Sequence, residues 1–174
     1  MRFYILALMA ALTSVSALRH SPTDADGLYS HTKEADGSIT THYLGLAGDQ
    51  NPKFVRRSSP EDETSTAGLG KRDTGAHCNS PSLNGSPSDF LGAEGGLAVF
   101  FGTGQSFVGT QTYKSGNAVA FGCDYGNGQE YTACQLTSDV QAIDALCGQG
   151  GAGWSSHESW KSTYGRTLLS ESFC

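Results

Sequence analysis

Two histidines stand in the last hundred-odd residues of the chain, His77 and His157, and with Glu158 and Arg166 they supply a base, an acid and a phosphate clamp. That inventory suits a small secreted hydrolase such as a ribonuclease, if the fold brings the side chains to one cleft. His157 and Glu158 are adjacent, so on a strand they point to opposite faces and cannot act together directly. Trp154, Trp160 and Tyr164 flank them; core packing is the commoner role for such rings, and if exposed they offer a stacking surface for a sugar ring. The four residues Trp154, His157, Trp160 and Tyr164 are therefore the candidate binding surface.

Other chemistries lack their parts. Asp73-Thr74-Gly75 is the tripeptide of aspartic proteases, but those need a second copy facing it to share a proton, and no second copy follows. No second histidine stands at metal-ligand spacing from His157, and there is no Cys-x-x-Cys, calcium loop or Gly-x-Ser-x-Gly elbow. The glycines of "GGLAVFFGTGQSFVG" carry no Gly-Lys-Ser/Thr, so they serve turns and packing, not a phosphate. The expectation is no catalytic residue, no cofactor and no metal. Asn84 heads a formal N-glycosylation triplet, with Pro87 directly after it.

The elements that must position these residues begin with a leader. Arg2, the apolar run Phe3 to Leu12 and the small residues Val15 to Ala17 have the layout of a secretory signal peptide, giving residues 1–17 and a cut after Ala17. The apolar run is too short to span a bilayer, so secretion without a membrane span is expected. Residues 18–72 are rich in Ser, Thr, Asp, Glu and Gly and contain no cysteine, which predicts a largely disordered pro-segment. Within it Ser38 to Leu46 alternates enough to form a strand or a chaperoning contact. Two dibasic pairs, Arg56-Arg57 and Lys71-Arg72, offer processing sites, and all five cysteines lie beyond the second. Residues 73–174 are thus the expected mature secreted domain. Its only cations are Lys114, Lys161 and Arg166, against nine Asp and Glu, and the whole chain carries a net charge of −6. That balance gives no footprint for a nucleic-acid backbone.

The cysteines Cys78, Cys123, Cys134, Cys147 and Cys174 are disulfide candidates in a small secreted domain, and their odd number leaves one thiol over. A clasp between Cys78 and Cys174, a loop closed by Cys123 and Cys134, and a leftover Cys147 are one arrangement. The leftover thiol could also link two chains into a disulfide-bonded dimer. Between them the pattern predicts loop over 79–92, strands over 96–103 and 117–125, and further strands over 154–160 and 166–174. Ser138 as cap, Gln141 three residues on, and Val140, Ile143, Leu146 and Cys147 at helical spacing predict one helix closed by Gly148. The fold class is α+β, a small disulfide-stabilised antiparallel sheet with one helix packed on one face.

The layout of signal peptide, cysteine-free segment ending in Lys71-Arg72, and small acidic cysteine-bearing domain resembles fungal secreted effectors and toxins matured by a kexin-type protease. The last third, "TACQLTSDVQAIDALCG" through "YGRTLLSESFC", is similar to killer-toxin-like and necrosis-inducing effector domains. Those place a cysteine before a helix, another near its end and a last one closing the final strand, as Cys134, Cys147 and Cys174 would. The resemblance implies a non-enzymatic virulence or antagonism factor that binds a host or competitor protein or cell-surface component. The alternatives are the small hydrolase and a wall-associated glycan-binding protein.

Overall fold

The structure, a computed structural model, describes residues 18–47, 74–79, 85–126 and 128–174. Ala17, Arg57, Lys71, Arg72 and Asn84 lie outside the described residues. Among the described residues nine strands and two α-helices follow in chain order: β1 (Gly27–Lys33), β2 (Ile39–Gly45), β3 (Thr74–Cys78), α1 (Pro87–Phe101), β4 (Gln105–Phe107), β5 (Thr110–Ser115), β6 (Ala118–Asp124), β7 (Gln129–Tyr131), α2 (Ala133–Cys147), β8 (Gly153–His157) and β9 (Ser162–Leu168), with one 3-10 turn, Glu158–Trp160, between the last two. Seven strands form one sheet in the order β2-β1-β5-β6-β9-β8-β3, and every neighbouring pair is antiparallel. β4 and β7 make a separate two-stranded ribbon.

β5 and β6 are buried along almost their whole length, because both faces of the sheet are covered there. On one face Phe90, Ala93, Leu97 and Phe101 of α1 and Leu136 of α2 join Leu28, Tyr113, Ala118, Ala120 and Tyr164 of the sheet in the main core. On the other face Val119, Phe121 and Cys123 pack under Leu169 and Phe173, with Leu18 and Trp154 at the margin.

α1 corrects the expected loop and strand. Pro87 at the first turn and Asp89 behind it are ordinary helix-start residues. Residues 90, 93, 97 and 101 then recur at helical spacing and all face the core. The run read as a strand because of its valine, phenylalanines and glycines, which are poor helix formers. Gly96 is needed nonetheless: any Cβ there would run into the Tyr113 ring, so it lets α1 lie close on the sheet. The sheet therefore carries two helices, not one.

α2 starts earlier than Ser138. Thr132 caps it: its side chain accepts from the Gln135 N–H (3.1 Å), and the Gln135 side chain accepts from the Thr132 N–H (2.9 Å). The Ser138 hydroxyl instead donates to the Cys134 carbonyl inside the helix. Ile143 is buried, in keeping with the helical spacing, whereas Leu146 is 60% exposed, and the carboxylate of Asp139 is buried on the same side as Ile143.

Residues 18–47 are not disordered. They form a turn and the hairpin β1–β2, and β1 pairs with β5 from Gly27↔Lys114 to His31↔Thr110. The segment has too few apolar residues to fold alone. It adds instead to an existing strand edge, which satisfies its backbone and buries Leu28 on one face and Tyr29 on the other.

Two disulfides cross-link the rest, in a different pairing from the expected one. Cys78 on β3 joins Cys147 at the end of α2, and Cys123 on β6 joins Cys174. Cys134 is the free cysteine and is exposed. β3 lies beside β8 with Cys78 opposite Gly153, and Gly153 faces the Cys147 sulfur, so that bridge closes across the helix face. The last residues fold back over β6 and bring Cys174 to Cys123.

Candidate functional site at the seat of the N-terminal hairpin

The residues singled out for chemistry fall into separate places. Arg166 is 2% exposed on β9 and makes four hydrogen bonds. Its Nη1 donates to Glu94 of α1 (2.8 Å) and its Nη2 to Asp144 of α2 (2.5 Å) and the Gly148 carbonyl (2.8 Å), while Nε donates to the Gly151 carbonyl (2.8 Å). Burial raises the Glu94 carboxyl above its ordinary range despite the guanidinium beside it. Arg166 is a strut between two helices and a loop.

His157 is 4% exposed, and its Nε2 donates to Asp139 (2.7 Å), which also accepts from the Ser155 hydroxyl (3.0 Å) and from the Tyr131 hydroxyl. Trp160 stacks on His157 with ring centroids 5.0 Å apart, and Tyr164 stacks on Tyr131 at 3.5 Å. Burial pushes the Tyr164 hydroxyl above its ordinary range. Glu158 is exposed on the turn after β8. His157, Trp160 and Tyr164 are thus packed into the helix side of the sheet, and they do not form an open aromatic platform.

Trp154 is different. It points to the opposite face, where its ring stacks on exposed His77 across the β3–β8 pair with centroids 5.3 Å apart. Gly165 lies directly opposite on β9, and a side chain there would strike Trp154. His77 therefore sits far from the Arg166 face, and the base, acid and clamp of a hydrolase are not assembled from His77, Glu158 and Arg166.

The densest polar arrangement on this second face went unread in the sequence. His20 (5% exposed), from the turn before β1, and His31 (2% exposed), on β1, both address Thr112 on β5. Their Nε2 atoms lie 2.8 and 2.9 Å from the Thr112 Oγ1. His20 Nδ1 is 3.2 Å from the Asp24 carboxylate, and His31 Nδ1 is 2.9 Å from the Thr41 Oγ1 on β2. One proton assignment satisfies every link with both rings neutral. Thr41 O–H donates to His31 Nδ1, His31 Nε2–H to Thr112, Thr112 O–H to His20 Nε2, and His20 Nδ1–H to Asp24.

Phe173 stacks on His20 and closes the site from the C-terminal segment, and Tyr29 packs at the edge of the His20 ring. Burial lowers the His20 pKa, more than Asp24 raises it. Burial and the neighbouring His20 bring His31 down to about 4. Alongside, Lys114 of β5 donates to Asp26 (2.7 Å), which holds that carboxyl below the ordinary range. No single residue type in "GLYSHTK" signals this cluster, because Thr112, which joins the two rings, and Phe173, which covers them, come from far along the sequence.

Comparison with known protein families, with curated proteins and with solved structures finds no match for this chain. Among the described residues no helix is long and apolar enough to cross a membrane.

Proposed function

We propose that the chain is the precursor of a secreted, non-enzymatic binding protein of effector or toxin type. A signal peptide ending at Ala17 exports it, and a kexin-type protease cuts after Lys71-Arg72. The working unit is then residues 73–174, which binds a host or competitor protein or a cell-surface component. The observation that carries this reading is where the cross-links fall. Both disulfides lie within 74–174 and fasten its first strand and its last residue, while the hairpin upstream of the dibasic pairs has no cysteine. A body locked at both of its own ends keeps its shape after a cut ahead of β3.

The test is to secrete the full chain from kexin-proficient and kexin-deficient yeast and to measure intact mass, with and without reductant. The expected product starts at Asp73, carries two internal disulfides and binds target cells saturably without degrading RNA. Material from the proficient strain that still begins near Leu18 and is uncut overturns the processing. Turnover of RNA by the purified product overturns the non-enzymatic reading.

The stack of half-buried Trp154 on exposed His77 favours a second reading, a wall-associated glycan-binding protein, since a pair of stacked rings at the surface suits a sugar ring. Retention on insoluble wall polysaccharide that is lost in Trp154→Ala would support it. Equal retention of the variant would refute it.

A further inference from the structure

The hairpin has no covalent tie to the body apart from the chain between β2 and β3, and the proposed cut falls in that chain. What then holds it is the β1–β5 ladder, the burial of Leu28 in the main core and of Leu18 against Phe173, the Asp26–Lys114 pair and the histidine chain through Thr112, and only the last of these titrates between pH 7 and pH 5. We propose that after the cut the hairpin stays seated on β5 as a non-covalent strap at neutral pH and leaves as the medium turns acid, expelled by protonation of His20 and His31. This rests on the processing proposed above.

The geometry makes the seat a neutral-histidine seat. The proton assignment leaves each ring one acceptor nitrogen: His31 Nδ1 facing Thr41, and His20 Nε2 facing Thr112. A proton added to His20 Nε2 turns it into a second donor to an oxygen that already accepts from His31, and the Thr112 hydroxyl hydrogen loses its acceptor. The two rings lie 5.3 Å apart, so charging both sets two cations side by side. The groups facing them offer little relief. Lys114 of β5 is a third cation, and it is occupied by Asp26. Tyr29 of β1, Thr41 of β2, Thr112 of β5 and Phe173 of the C-terminal segment carry no charge. Asp24 is the one carboxylate that addresses His20, and it is partly solvated.

The sign follows from the docked histidines titrating lower than free ones. A released hairpin binds protons from an ordinary histidine pKa of about 6.5 downward, whereas the docked one resists until lower pH, with His31 near 4. Docking is therefore complete above the free value and weakens as pH falls between the two. From pH 7 to pH 5, His31 alone weakens it by about 20-fold, by the tenfold-per-unit rule, and His20 adds in the same direction. The Asp26–Lys114 pair is not the trigger, because Asp26 is held below the ordinary carboxylate range and stays ionised over this interval. Departure uncovers the β5 edge from Thr110 to Lys114, whose backbone groups can then pair with an extended segment of another polypeptide.

The experiment uses the full secreted chain with a site-specific protease sequence placed between residues 48 and 73. It is cut in vitro and run by size exclusion at pH 7.4 and pH 5.0 with mass detection. Co-elution of both fragments at pH 7.4 and loss of the hairpin fragment at pH 5.0 are expected. In the double variant His20→Gln, His31→Gln the fragments should co-elute at both. Loss of the hairpin at pH 7.4, or equal retention of the wild type at both values, overturns the proposal. If the double variant does not fold, ring-proton NMR of the cut wild type decides: His31 titrating at or above 6.5 overturns it. The cut is engineered, so a naturally secreted product that turns out uncut counts against the processing alone.

Discussion

Replacing Arg166 by methionine should cost this fold a large share of its stability. The substitution keeps much of the apolar stem and removes the guanidinium, whose central carbon lies over the Phe90 ring 5.0 Å from its centre. Glu94, itself buried, then loses the 2.8 Å donor from Nη1, Asp144 loses its partner, and the Gly148 and Gly151 carbonyls each lose a charged donor. Removing one partner of a buried ion pair costs about 3–5 kcal/mol, because the remaining charge stays desolvated. Ordinary domains have only about 5–15 kcal/mol in all.

Urea unfolding followed by the fluorescence of Trp154 and Trp160 measures the loss. Its pH dependence tests the cause. Glu94 already has a raised pKa from burial, and without Arg166 nothing opposes that rise. A carboxyl whose folded pKa exceeds its unfolded one stabilises the fold at low pH, and that contribution is lost as pH rises through the folded value. The penalty of Arg166→Met should thus be smaller at pH 4.5 than at pH 7. Adding Glu94→Gln should recover part of it at pH 7 and little at pH 4.5. A loss under about 1 kcal/mol, which is what a solvent-exposed pair gives, would refute the strut. So would a penalty that does not change with pH.

Thr132→Ala should cost about 0.5–2 kcal/mol by removing the cap of α2, whereas Ser138→Ala should change stability little; equal effects in urea melts would relocate the helix start. Reducing the two disulfides should lower the thermal midpoint sharply, since loops with separations of 69 and 51 residues are each worth about 4 kcal/mol in the chain-entropy account; an unchanged midpoint would refute both bridges. Cys134→Ser should abolish any reductant-sensitive dimer seen by mass without altering the melt, and a dimer that persists would place a different cysteine between the chains.

The sequence by itself determined the features that local pattern can carry. The apolar run through Val119 and Phe121 and the turn residues around it mark β6, and the spacing of Val140 and Ile143 marks α2. Cysteine count and composition imply disulfides, and two are present. The start of α2 is legible in Thr132 and Gln135, which hold the same capping-box spacing as Ser138 and Gln141, and local pattern does not choose between the two pairs. Tertiary structure decided the rest. Gly92, Gly95 and Gly96 argue locally against a helix over 87–101, and it takes the Tyr113 ring beneath Gly96 and the Ser115 side chain beneath Gly92 to explain two of the three, since α1 lies too close to β5 there for a larger residue. β1 has too little apolar surface to fold alone, and it becomes a strand because β5 offers an unfilled ladder far along the chain. The partners of the cysteines, the burial of His157 and Asp139, and the meeting of His20 and His31 on Thr112 depend on which strands end up adjacent. Side-chain chemistry is written in the residue types, but its neighbours, and therefore its charge state and its partners, are set only when distant segments pack together.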